Sequence, residues 1–310
     1  MDLMQLEMFA ATVEEGGVHK AARKVLRTQP AVSIALRKLE SEIGAPLFDR
    51  SNRNDYVLTD TGEVLYGYAR RLLNLREEAM LAIKELHTLQ NGRIRIGANE
   101  STCLYVLPSL IQAFREKYPK IKIEVIRQVS SKLLRELRER SLDFVAISFL
   151  PEEKDLEAIP LMRDELALIV SPLHRLATAP RVHIRELGTE SFIAHNVRSR
   201  SRDKVLEAFR RFQTPCNITI EIATIETIKK FVAMNLGAGF VPLMCVKDEL
   251  ARGELISIPV EGFRHERALW LVRRNSDAHH HAAQAFVELV RKLMPASLAR
   301  AADPAAANRA

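Results

Sequence analysis

The chain has 310 residues, enough for two or three compact units, with 47% hydrophobic and 27% charged residues and a formal net charge of +7. It has no run of about 18 uncharged apolar residues, and its acidic start, MDLMQLEMFAATVEEGG, lacks the basic leader and apolar core of a secretory signal, so membrane-spanning and secreted classes are set aside and a cytoplasmic location is expected. Three cysteines, Cys103, Cys216 and Cys245, stand in no disulfide or zinc spacing, and each is expected to be a small buried apolar residue.

Leu3, Leu6, Phe9, Ala10 and Val13 recur at helical spacing, and Gly16-Gly17 ends that first helix. A second short helix runs through HKAARKVL, where Ala21 and Ala22 permit close approach of a neighbour. A third begins at Arg27-Thr28-Gln29-Pro30, with Thr28 as a capping hydroxyl and Pro30 in the first turn, where its missing N–H costs nothing. Ala31, Val32, Ala35, Leu36 and Leu39 form its inward stripe. Gln29, Ser33 and Arg37 repeat every four residues and share the other face, as side chains that read base edges would.

This pattern fits a helix-turn-helix, and it also fits an ordinary helical hairpin with a solvated polar side. The next segment favours the former: DRSNRNDYVLTDTG reads as two short strands around a polar turn, a wing that would carry Arg50 and Arg53 to phosphates or a minor groove. Charge has to be located rather than totalled. Residues 1–90 hold 12 Lys+Arg against 13 Asp+Glu, yet residues 20–53 hold 8 against 3.

From Thr59, another capping hydroxyl, a long helix extends to about Leu89, roughly 45 Å. Leu65, Ala69, Leu72, Arg76, Ala79, Ile83 and Leu86 alternate at spacings of four and three, a heptad seam flawed at Arg76. Packing on its own domain is the alternative, but a helix this long leading out of a small domain fits pairing with a copy of itself.

Beyond Asn91-Gly92, β-rich runs alternate with helices: RIRIGA, IKIEVIRQ, DFVAIS, ELALIVS, SFIAH, NITIEIA, GFVPL, ELISIPV and ALWLV are the expected strands. The alternation predicts an α/β architecture with largely parallel sheets, in two lobes around a cleft. Hydroxyls open three of its helices, at Ser101-Thr102, Ser130-Ser131 and Thr224, where they could bind an anion or simply cap. No GxSxG, HExxH, Walker A or dinucleotide fingerprint is present, no serine sits in a nucleophile elbow, and His279-His280-His281 reads as a solvated helix start rather than a metal site. No enzyme chemistry, metal or cofactor is expected.

QPAVS at 29–33, LE at 39–40, PLFDR at 46–50 and LTDTG at 58–62 resemble the winged helix-turn-helix of LysR-type transcriptional regulators, and IRIGANESTCLYVLPSLIQAFREKYP and TIETIKKFVAMNLGAGFVPL resemble that family's effector-binding domain, itself similar to periplasmic solute-binding proteins. The resemblance covers about residues 2–295. It implies an α+β multidomain chain: a winged helix-turn-helix over 1–60, a linker and dimerisation helix over 61–90 with Leu65, Leu72, Ala79, Ile83 and Leu86 at the contact, a two-lobed α/β effector-binding domain over 91–296, and an Ala-rich disordered tail over 297–310. It also implies that Thr28, Gln29, Pro30, Ser33, Arg37, Arg50 and Arg53 meet promoter DNA, and that Ser101, Thr102, Ser130, Thr224 and the backbone near His195-Asn196 and Phe240-Val241 line an effector cleft. A homotetramer that bends promoter DNA is implied, with contact to RNA polymerase left open.

The chain departs from the family pattern at Val18 and His19, at Ile34 where the family tends to be polar or basic, in a wing one residue longer, and at Asn235 where glycine is common. Glu100, a carboxylate beside the presumed cleft, would oppose an anionic effector unless it points away. The expected function is a transcription regulator responding to a small-molecule effector, of which a small anion is favoured. Rival readings are a nucleoid-type DNA-bending protein without an effector, and a solute-binding protein of transport.

Overall fold

The computed structural model describes residues 1–49, 56–85, 92–197, 199–275 and 281–293. Helix α1 (Leu3–Glu15) starts at Asp2, which forms a reciprocal capping box with Gln5, and ends at Gly16 with φ 66°, the left-handed conformation that glycine adopts without strain. Helix α2 (Val18–Lys24) has no side-chain cap, as its unusual start implies. Helix α3 (Gln29–Ile43) is capped by Thr28, whose hydroxyl accepts from the Ala31 N–H at 3.4 Å, and it buries Val32, Leu36 and Leu39. These meet Leu6, Phe9, Val18 and Leu47 in one small core.

An antiparallel bridge joins Phe48 to Leu58, and the Asp49 N–H donates to Val57 O at 2.8 Å. That is the base of the predicted wing; Arg50 and Arg53 lie outside the described residues. The Thr59 hydroxyl accepts from the Gly62 N–H and donates to Pro46 O, tying the wing base to α4 (Asp60–Glu85), 26 residues and about 39 Å long.

The apolar face of α4 differs from the seam expected. Ala69 is buried in the winged unit's own core and Leu65 packs partly buried against it. Val64, Tyr68, Leu72, Leu75, Met80 and Ile83 are exposed, and all but Met80 fall on one stripe with exposed Ala79. The helical period holds, but at the N-terminal end the exposed stripe begins one residue earlier than the expected seam, because a helix leaving a small domain gives its first turns to that domain's core. Leu86 lies outside the described residues.

The remainder forms two lobes. In chain order come β1 (Arg93–Ala98), α5 (Glu100–Tyr105), α6 (Leu107–Lys117), β2 (Lys122–Arg127), α7 (Ser130–Arg138), β3 (Phe144–Ile147) and β4 (Leu156–Val170). Next are β5 (Val182–His183), a 3-10 turn, β6 (Ser191–His195), α8 (Arg200–Arg211), β7 (Asn217–Ile222), α9 (Ile225–Ala233) and β8 (Gly239–Pro242). After a second 3-10 turn follow α10 (Lys247–Ala251), β9 (Ile256–Ile258), β10 (Val260–Glu261), β11 (Glu266–Arg274) and α11 (His281–Leu293). The first lobe's core gathers Ile94, Ile96, Phe114, Phe144, Leu271 and Phe286; the second lobe's gathers Leu168, Phe192, Val205 and Phe209.

The main sheet has the order β2-β1-β3-β11-β4-β8 and is mixed rather than largely parallel. β1 runs parallel to β2 and β3, whereas β11 is antiparallel to both β3 and β4. The reason is the chain path. β4 is one 15-residue strand whose first half pairs with β11 in the first lobe and whose second half pairs with β8 and β9 in the second. It carries the chain out and β11 brings it back, so the two must run in opposite directions. Only ELALIVS of β4 was legible beforehand, because Pro160 interrupts its first half, next to a register shift opposite Leu269/Trp270.

Candidate functional site: reading helix and interlobe cleft

On α3 the exposed residues are Gln29, Pro30, Ile34, Arg37, Lys38, Ser41 and Glu42, with Ser33 half-buried among the first of them. The Arg37 Nε–H donates to Ser33 O at 3.3 Å, which lays that side chain back along the helix. Thr28 is exposed, but its hydroxyl is engaged as the cap.

Between the lobes lies a cleft of about 620 Å³. Ser101, Ser130, His195 and Phe240 line it, as expected. Thr102, Asn196, Thr224 and Val241 are not among its lining residues, and each has a local reason. Thr102 is fully buried. The Asn196 N–H donates to Ile222 O at 2.9 Å, extending the β6–β7 pairing. The Thr224 hydroxyl caps α9, accepting from the Thr227 N–H at 3.2 Å and bonding the Thr227 hydroxyl at 2.7 Å. Val241 follows Phe240 in a strand, so if one faces the cleft the other faces the core.

The cleft wall also carries four arginines outside the expected set: Arg127, Arg200, Arg202 and Arg267. Arg127 ends β2 and Ser148-Phe149 follow β3, positions at strand carboxyl ends where ligands collect, so that much of the signal was available. Arg267 belongs to the returning strand, and nothing local marks it.

The charges are arranged in favour of an anion. Glu100 lies 3.7 Å from Arg127 and accepts from the Ile225 N–H at 3.4 Å, so its carboxylate is occupied. Arg202 is bonded to Glu221 and to His195 O. The Arg200 guanidinium stacks on the Phe149 ring at 4.1 Å, one lobe resting on the other across the cleft. Arg267 donates through Nε to Asp164 at 2.8 Å, while its Nη2 is buried without a partner among the described residues.

Behind the cleft a buried polar cluster also joins the lobes. Lys229 donates to the Tyr105 hydroxyl at 2.6 Å and to Cys245 O at 2.8 Å, and pairs with Glu249 at 2.8 Å and Glu226 at 2.9 Å. Burial works against its charge, but these acceptors together hold its pKa above the ordinary lysine value. Burial, aided by Glu226, pushes Tyr105 up to about 12. Asn235, the departure from glycine, has φ 61°, a conformation asparagine tolerates better than most side chains. The cysteines are free thiols; Cys245 is buried, while Cys103 and Cys216 are only half-buried and Cys216 lines the cleft.

The linker helix also touches this domain. Asn74 Nδ2 donates to Glu139 O at 2.6 Å, Arg70 to the Ser141 hydroxyl at 3.1 Å, and Glu78 pairs with Arg140 and with Arg274, the latter at 3.1 Å. Residues 139–141 are the turn that follows α7, whose other end, at Ser130, lines the cleft.

Residues 3–63 match the model of the bacterial regulatory helix-turn-helix protein, lysR family, and residues 87–295 match the LysR substrate binding domain. The chain belongs to the LysR family of transcriptional regulators. A probable RuBisCO transcriptional regulator of Trichormus variabilis is 33% identical over 290 residues, covering 92% of this chain and 86% of that protein. A full-length OxyR variant from Pseudomonas aeruginosa superposes with a TM-score of 0.71 at 24% identity, covering 94% of this chain and 95% of that one. CbnR in complex with its target DNA superposes at 0.68 and 18% identity, covering 94% and 99%. The Synechocystis PCC6803 CcmR regulatory domain in complex with 2-PG does so at 0.59 and 24%, covering 65% and 97%. At these identities the structural likenesses speak for the fold. As a LysR-type regulator the chain binds DNA and carries an effector-binding domain, and members of this family are transcriptional regulators rather than enzymes. No helix among the described residues is long and apolar enough to cross a membrane.

Proposed function

We propose that this LysR regulator works in the cytoplasm without catalysis, reads promoter half-sites with Gln29 and Ser33 of α3, and changes its grip on DNA when a small organic anion fills the interlobe cleft. Four arginines on the cleft wall, against a Glu100 carboxylate already engaged, are the observation that carries the effector class. A CcmR regulatory domain bound to 2-PG supports a small-molecule ligand at the corresponding domain. Arg37, with Arg50 and Arg53 of the wing, would supply phosphate contacts, which position the protein without carrying sequence information. The exposed stripe Val64, Tyr68, Leu72, Leu75 and Ile83 would pair two linker helices and so set two reading helices against two half-sites.

Helix α7 supplies the route between the functions. It is nine residues, about 14 Å, with its start in the cleft and its end clamped on α4 through Asn74 and Glu78. A ligand that draws on Ser130 therefore moves a rigid element that the linker helix holds at its far end.

Footprinting on the DNA upstream of the protein's own gene, at two salt concentrations and against random competitor, tests the reading. Protected half-sites about one helical turn apart, or a multiple of it, are expected to survive competitor. Uniform, salt-sensitive coverage would instead favour the nucleoid-type reading. For the cleft, organic anions near 100 times their dissociation constant should add roughly 2.7 kcal/mol of stability, and neutral analogues none.

A further inference from the structure

Ile34 is 46% exposed in the middle of the outward face of α3. The core needs nothing from it, since Val32, Leu36 and Leu39 already fill the inward face of that helix. Helix propensity does not call for it either, because a β-branched side chain loses rotamer freedom in a helix. Its surroundings are cationic: Arg37 and Lys38 stand one turn further along the same face, and Arg27 precedes the cap. Pro30, one turn back, adds its ring to the same apolar spot. An apolar patch ringed by guanidinium and ammonium groups suits a polyanion that carries an apolar feature of its own. Duplex DNA has one in the major groove, the C5-methyl group of thymine.

We propose that Ile34 packs against the C5-methyl of a thymine and makes this regulator require thymine at one position of each half-site. The inference rests on α3 being the reading helix and adds a contact to those of Gln29 and Ser33. Lys38, one turn beyond Ile34, would meet a phosphate nearby, so the required thymine lies inside the backbone contacts rather than at the edge of the footprint.

The test uses the full-length protein and a duplex selected from a randomised library. Each thymine of the selected site is replaced in turn by deoxyuridine, which keeps every hydrogen-bonding group and removes only the methyl. One position per half-site is expected to weaken wild-type binding about fourfold, the worth of one buried methyl group. Ile34→Ala should bind the unmodified site with the same loss and be indifferent to the replacement, whereas Ile34→Thr, which keeps a methyl, should remain sensitive. As Ile34 is exposed, all three proteins should melt alike. A selected site at which no thymine methyl matters, or a sensitivity that persists in Ile34→Ala, would overturn the Ile34 contact while leaving α3 as the reading helix. Selection that returns no sequence preference would overturn both.

Discussion

Asp164 and Arg267 are register partners across β4 and β11, and their side chains meet at 2.8 Å with exposures of only 2% and 7%. They sit where both connecting strands pass from one lobe to the other, and Asp164 also accepts from the Met244 N–H at 3.0 Å. Removing the carboxylate strands a buried guanidinium, so Asp164→Ala should cost about 3–5 kcal/mol in urea denaturation. Arg267→Lys keeps a charge for Asp164 but lacks the second nitrogen, the one now without an acceptor among the described residues. If that Nη2 meets the effector, the lysine variant should lose about tenfold in anion affinity by calorimetry, the worth of one charged hydrogen bond, with specific DNA binding intact. Equal affinity would take Arg267 out of the binding set.

Coupling between cleft and DNA should pass through the turn after α7. The double variant Asn74→Ala, Glu78→Gln removes the Asn74 tie to the linker helix and the charge that holds Arg140, leaving Arg70 on the Ser141 hydroxyl. Effector affinity, read by calorimetry, should hold. The effector's influence on DNA affinity should shrink by about 0.5–2 kcal/mol. An undiminished effect would mean that the signal travels by another path.

At the base of the wing, a Cβ on Gly62 would stand 2.1 Å from Leu47 O, the carbonyl that accepts from the Thr59 N–H. Backbone cannot yield there without opening the wing. Gly62→Ala should therefore destabilise the winged unit by about 3 kcal/mol, the upper end of overpacking costs, and abolish specific binding. A thermal melt indistinguishable from wild type would show that the base of the wing can shift.

At position 29 the expected loss is specific. Gln29→Ala should cost about 1–3 kcal/mol at the selected site and leave binding to random duplex unchanged, as measured by competition. An equal loss on both would remove Gln29 from base reading.

All three thiols are held in the protonated form. Burial raises Cys103, pushes Cys216 up to about 11 and Cys245 up to about 12. A raised thiol pKa means less thiolate at neutral pH, so alkylation should be slow there and quicken as pH climbs, Cys216 ahead of Cys245. Mass spectrometry of iodoacetamide-treated protein across pH measures this. Fast neutral labelling of Cys216 would contradict its burial, and a bound effector should shield it.

Much of the reading unit was legible in the residues because its determinants are local. Thr28 caps, Pro30 enters the first turn, Gly16 and Gly44 close helices in the left-handed conformation, and Val32, Leu36 and Leu39 recur at the helical period. Most strands were legible for the same reason, except where Pro160 and the adjacent bulge broke the alternation in β4, and except for the two-residue β5 and β10, which are too short to show a period. Among the hydroxyls, Ser101 and Ser130 reach the cleft while Thr102 and Thr224 do not, since a capping residue and its neighbour point in different directions and only the fold decides which faces the ligand.

The family, the capped helix α3, most of the strands and the existence of a long apolar-striped linker are encoded within a few turns or strands of chain. Long-range packing sets which stripe of α4 is exposed, makes β4 and β11 antiparallel between the lobes, and gathers Arg127, Arg200, Arg202 and Arg267 around one cleft. Those arginines come from the end of β2, the start of α8 and the returning strand β11, which lie far apart in the chain. Their convergence is a property of the folded path, and no periodicity in the residues records it.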